Sequence, residues 1–165
     1  MSESAQPDNP QAASGQAPQA SFQIDKLYVK DLSLEVPNAP QVFMQPESPQ
    51  LEVTVRNEAM QFADTLFEVT VTVTVTARSG ERTMFLAEVA QAGIFSASGI
   101  APQDLEPLLA IGCPTILFPY AREAISDLVT RAGFPSVVLS PVSFEQIYMQ
   151  RQQQAAAEPR IEVAS

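Results

Sequence analysis

Cys113 is the one nucleophile that stands out, and it sits directly before Pro114 and a long helical pattern. A helix N-terminus can depress a thiol pKa and favour the thiolate. Covalent catalysis also needs a proton acceptor, and the chain contains no His. That removes Ser-His-Asp and Cys-His catalysis and most zinc sites. A buried Cys, in the core or at an interface, is the better reading of Cys113. Two carboxylate pairs, Asp31/Glu35 and Asp104/Glu106, could in principle do acid–base work. Nothing marks either pair as buried, so they read as a solvated strand face and a helix N-terminus. The glycines are scattered and neither Lys26 nor Lys30 follows a Gly-rich turn, so no phosphate cradle is expected. No loop has calcium-ligand spacing. The expectation is a non-enzyme with no cofactor and no metal.

The charge balance narrows the partners. Nine Lys+Arg face 19 Asp+Glu, a net charge of −10. That disfavours nucleic acid and anionic membrane surfaces, both of which need basic residues. A single Cys excludes an intrachain disulfide framework. No run of apolar residues reads as long enough to cross a bilayer, so no membrane insertion is expected. Residues 1–21 hold no Lys or Arg and no Ile, Leu, Val or Phe, unlike a secretory signal. A cytoplasmic protein with a reduced thiol is expected.

The elements follow from periodicity. Residues 1–21 are rich in Gln, Ala, Ser and Pro and read as a disordered tail. Residues 22–154 form the folded domain, and 155–165 a flexible C-terminal tail. Residues 66–78 place Phe67, Val69, Val71, Val73 and Val75 on one face and Thr70, Thr72, Thr74 and Thr76 on the other. That strict period of two is a long strand with one dry and one wet face. Ser79-Gly80-Glu81 is a turn, and 82–96 alternates again, completing a hairpin. In 22–36 the apolar set moves from Leu27 and Val29 to Leu32 and Leu34. In 51–62 it moves from Leu51, Val53 and Val55 to Met60 and Phe62. Each change of phase predicts a bulge or a change of strand partner. Four prolines keep 37–49 out of a central strand, yet it carries the apolar triplet Val42-Phe43-Met44.

The second half is helical. Pro102 with Asp104 and Glu106 opens a first helix, which Pro107 shortens or kinks and Gly112 ends. Phe118, Ala121, Ile125, Leu128 and Ala132 mark an amphipathic helix with Pro119 in its first turn and Gly133 at its end. Ser143 and Gln146 form a capping box for a last helix, which shows Phe144, Ile147 and Tyr148 on one side. Four strands followed by helices give the class α+β, with an antiparallel sheet. Its apolar faces exceed what one sheet-on-helix contact covers. They are buried in a homo-oligomer, or form a groove for extended apolar partners, or both.

The strings PNAPQVF at 37–43, EVAQAGIF at 88–95 and CPTILFPYARE at 113–123 closely resemble the SecB family of bacterial export chaperones. SFQIDKLYVKDLSLEVPNAP and SPVSFEQIYMQRQQQ fit the family's start and end, so the match covers about 21–154. The resemblance implies a homotetramer, a dimer of dimers, with the long helices sandwiched between paired sheets. It implies binding of unfolded precursor polypeptides and their delivery to the SecA motor, with no catalysis. It places the client groove at Val42, Phe43 and Met44, at Leu51, Val53 and Val55, and at Phe144, Ile147 and Tyr148. It places motor docking at Asp31, Glu35 and Glu81. Three departures stand out: Ser79 where the family often has leucine, no Trp near Glu47, and AAAEPRIEVAS in place of an acidic tail. Without the resemblance, an oligomeric small-ligand binder or scaffold is the main alternative, and an enzyme using Cys113 the weaker one.

Overall fold

The computed structural model describes residues 19–44 and 48–157. Most of the expected N-terminal tail, Glu47, and the C-terminal tail from 158 onward lie outside the described residues. Four strands, β1 (Ser21–Glu35), β2 (Gln50–Ala63), β3 (Leu66–Ser79) and β4 (Arg82–Ser98), form one antiparallel sheet in the order β1-β4-β3-β2. β1 begins at Ser21, and β1 and β2 are the edges of the sheet.

β3 buries Phe67, Val69, Val71, Val73, Val75 and Ala77 on its dry face, as its period of two requires. Its threonine face is less wet than expected. Thr70 is buried, and Thr74 donates its hydroxyl to Glu88 at 2.6 Å. The cause is position: β3 is central, so side chains of β2 and β4 lean over it.

The phase change in β1 is a bulge. Register shifts fall between Ile24 and Lys26 and between Val29 and Asp31. The second one absorbs Lys30. Leu27 and Val29 then face Gly93 and Gln91, while Leu32 and Leu34 face Val89 and Ala87, all on one side. β2 corrects the parallel expectation. It stays in register from Gln50 to Gln61, so Met60 lies opposite Glu68 on the outer face. Phe62 falls at a shift between Gln61 and Ala63, and both apolar side chains are exposed. The dry-face position is taken by Asn57, whose Nδ2 donates to the Ala110 carbonyl at 3.2 Å.

The first helix does not end at Gly112. A single helical rod runs through α1 (Pro102–Pro107), a π-helical turn (Leu108–Gly112) and α2 (Cys113–Arg131). The wider turn carries the chain past Pro107, which lacks an N–H, so Gly112 need not stop it. Pro119 consequently lies inside the rod rather than in a first turn. This 30-residue helix is also long and apolar enough to cross a bilayer by length and composition, contrary to expectation. Its buried residues Cys113, Leu117, Ala121, Ile125 and Val129 pack it onto the sheet as a core helix. Only 33 % of its most apolar stretch is buried within the chain.

Close packing of α2 depends on Gly93. A Cβ there would stand 2.8 Å from the Phe95 ring and 3.1 Å from Leu117. Gly133, at φ +89°, closes the helix: the Phe134 N–H reaches the Val129 carbonyl at 3.2 Å. An extended segment then leads to α3 (Phe144–Ala157), where the Gln146 N–H donates to Ser143 Oγ at 3.3 Å.

Candidate functional site

α2 covers β3 and β4, while the dry face of edge strand β2 stays largely exposed and meets the helical rod at the π-helical turn. Leu51, Val53, Val55, Asn57 and Ala59 are the successive residues on that face. Three cavities follow them in order. The first, about 340 Å³, lies between Val42, Phe43, Leu51, Phe85 and Phe134. The second, about 330 Å³, is lined by Val53, Val55, Phe118 and Leu139. The third, about 320 Å³, is formed by Asn57, Ala59, Leu105, Leu109 and Arg151. At ~3.3 Å per strand residue, Leu51 to Ala59 spans about 27 Å. The result is a long apolar groove with polar groups at the β2 C-terminal end.

The 3₁₀ turn Gln41–Phe43 builds the aromatic end. Val42 is only 5 % exposed and acts as floor, whereas Phe43 is 50 % and Met44 79 % exposed. The Phe43 ring packs on Phe134 at 5.1 Å between centroids, and Phe134 packs on Phe85 at 5.0 Å. The structure thus brings Val42, Phe43 and Leu51 together, with Val53 and Val55 next along. Met44 is exposed and lines none of these three cavities. The last helix contributes differently from expectation. Phe144 is fully buried against Phe118 at 6.0 Å, Ile147 packs on the core, and Tyr148 is half-buried. None of the three lines any of these three cavities; Phe144 and Ile147 pack α3 onto the core. Sequence reasoning missed Phe85, Phe134 and Leu139. For Leu139 the available signal was the apolar stretch between Pro135 and Pro141, which follows the helix-closing Gly133.

The outer face carries the acids. Asp31 and Glu35 lie opposite Ala90 and Leu86, both exposed, and Glu81 is exposed in the β3–β4 turn. Glu88, opposite Ser33, stands between the first two and was not anticipated. Further along that face Glu68 accepts hydrogen bonds from Tyr28 and Lys30. Lys30 and Tyr28 hold the Glu68 carboxyl below its usual range. That carboxylate, with burial, pushes the Tyr28 phenol up to about 12. Burial pushes the Cys113 thiol up to about 12, the opposite of what a nucleophile needs.

The SecB family model, described as preprotein translocase subunit SecB, matches residues 15–155. A protein-export protein SecB of Chromobacterium violaceum is 56 % identical over 138 residues, 84 % of this chain and 92 % of that one. Its counterpart in Dechloromonas aromatica is 55 % identical over 141 residues, 86 % of this chain and 93 % of that one. Among solved structures, a SecB-like chaperone of Mycobacterium tuberculosis in complex with a ChAD peptide from the HigA1 antitoxin is similar in fold. It has a TM-score of 0.57 and 21 % identity, covering 73 % of this chain and 90 % of that one.

Proposed function

The chain belongs to the SecB family, and we infer from this that it is an export chaperone, which binds unfolded precursor proteins and keeps them competent for translocation. The groove along β2 is the observation that supports this reading most directly. Its cavities follow one another along β2, most of their lining is apolar, and their span matches an extended segment of about eight residues. A folded protein has no such segment to offer, so discrimination between unfolded and folded clients follows from shape. Phe43, Leu51, Val53 and Val55 make the contact surface. Val42 and Phe144 support it from beneath, and Met44, Ile147 and Tyr148 flank it.

The remaining surfaces fit the family's other tasks. Leu108, Ile111, Ile116 and Ala124 of the long helix are only partly buried within the chain, which suits packing against a second pair of chains in a dimer of dimers. Four chains of 17.8 kDa would appear near 71 kDa by native mass spectrometry. Asp31, Glu35 and Glu81 offer an acidic patch to a basic region of SecA. The site of action is the cytoplasm, where precursors await export. The test is a slow-folding precursor diluted from denaturant: an equimolar amount of the chaperone delays its refolding. Refolding at the unassisted rate excludes the function.

A further inference from the structure

The three cavities along β2 are evenly spaced. Pro49 and Leu51 line the first, Val53 and Val55 the second, and Asn57 and Ala59 the third. Their midpoints fall at positions 50, 54 and 58, four residues apart each time. β2 pairs with β3 without a register shift from Gln50 to Gln61, so even spacing in sequence is even spacing in space. At ~3.3 Å per strand residue, neighbouring cavities lie about 13 Å apart. The opposite wall keeps step: residues 134–137 line the first cavity and residues 139–142 the second. The volumes, about 340, 330 and 320 Å³, are nearly equal, so no cavity is marked out for a larger side chain. The third holds one carboxylate, Glu106, and one guanidinium, Arg151, which together leave it without a net preference for charge.

An extended client presents its side chains to alternate sides, so positions i, i+4 and i+8 face the same way. Four residues advance about 13 Å in a β-strand and about 12 Å in a polyproline II segment, so either conformation matches the cavity spacing. Anchors two residues apart are separated by about 7 Å, and the second one falls between cavities. Anchors three residues apart point to opposite sides, so the middle one is turned away from the groove. The pattern is the same read in either direction, so it holds whichever way the client runs.

We propose that the groove reads the spacing of its client's anchors, favouring extended segments with large apolar side chains at positions i, i+4 and i+8. This rests on the groove being the client site. The test uses serine-rich peptides of one composition, each with three Phe, placed at i, i+4, i+8, at i, i+3, i+6, or at i, i+2, i+4. Each competes with a labelled, permanently unfolded precursor segment for the assembled protein. The i, i+4, i+8 peptide should bind about tenfold tighter than either of the others. A fourth peptide, with Phe at i and i+4 only, isolates the third anchor. Ala59 is exposed on β2, so Ala59→Phe fills the third cavity from a position where a larger side chain is accommodated. In that variant, with its melting checked, the three-anchor peptide should lose its advantage over the two-anchor one. Equal competition by the three spacings, or a third-anchor advantage that survives in Ala59→Phe, overturns the spacing rule and leaves the groove standing. Failure of every peptide to displace the precursor segment overturns the groove itself.

Discussion

Truncating Phe43 to Ala should weaken client binding while the domain stays folded. The ring is half exposed, and its covered half lies on Phe134. A Phe side chain buries roughly 150–250 Å² when fully enclosed, so about 100 Å² remains for a client to cover. At ~25 cal/mol per Å² that is about 2.5 kcal/mol if a client covers all of it. Cover is partial, and the Ala retains some contact. The expected loss is therefore about 1–2 kcal/mol, or about 5- to 30-fold in Kd. The lost ring contact with Phe134 costs the fold about 0.5–1.5 kcal/mol in addition to the apolar area that Phe43 covers. Fluorescence anisotropy of a labelled, permanently unfolded precursor segment measures the affinity, and thermal melting checks the fold. Affinity within twofold of wild type, with the domain still folded and oligomer size unchanged, would refute the aromatic end of the groove as a client contact.

Three further outcomes are expected. Gly93→Ala should destabilise the domain by on the order of 1–3 kcal/mol, seen in denaturant titration, because its Cβ meets Phe95 and Leu117 below contact distance. A melt equal to wild type would mean that α2 can shift freely. The Cys113 thiol has a folded pKa raised to about 12 from 9.0, so its stabilising contribution is complete below pH 9 and declines as pH rises toward 12. Stability should fall by up to about 1.4 kcal/mol per pH unit in that window through this group, and Cys113→Ala should flatten the slope. An identical slope would place the thiol in contact with water. Reversing Asp31 and Glu35 to Lys should weaken SecA binding in a salt-dependent way and leave client affinity unchanged. Equal motor affinity at low and moderate salt would make these acids solubilising only.

Local pattern reveals most where one physical cause dominates. β3 was legible because every second residue from Phe67 to Val75 meets the same core. The β1 bulge was legible because an apolar set that changes parity must be restored by one extra residue. The same sign misled in β2. There Asn57 tolerates the dry face by bonding to a helix carbonyl 53 residues away, a partner invisible to periodicity. Gly112 and Pro119 looked like helix boundaries because both are breakers in isolation. A π-helical turn and packing of Cys113, Leu117 and Ile125 on the sheet overrode them.

The groove was half legible for a related reason. Val42-Phe43-Met44 was recognisable as misplaced apolar surface in a proline-rich loop. Which of the three faces inward depends on the single turn at Gln41–Phe43. Phe144 presented the same problem on α3, where Phe118 from another helix decides its burial. The wall built by Phe134 and Leu139 comes from an extended segment without period, positioned by Gly133 rather than by its own pattern.

The most direct measurement is the affinity of the assembled protein for one precursor in two states. One form is kept unfolded by a destabilising substitution in its mature region; the other is natively folded. Tight binding of the unfolded form with no detectable binding of the folded form, abolished by competition with a short extended apolar peptide, is the expected result. Equal affinity for both forms, or binding that the peptide does not displace, would contradict an export chaperone that works through the β2 groove.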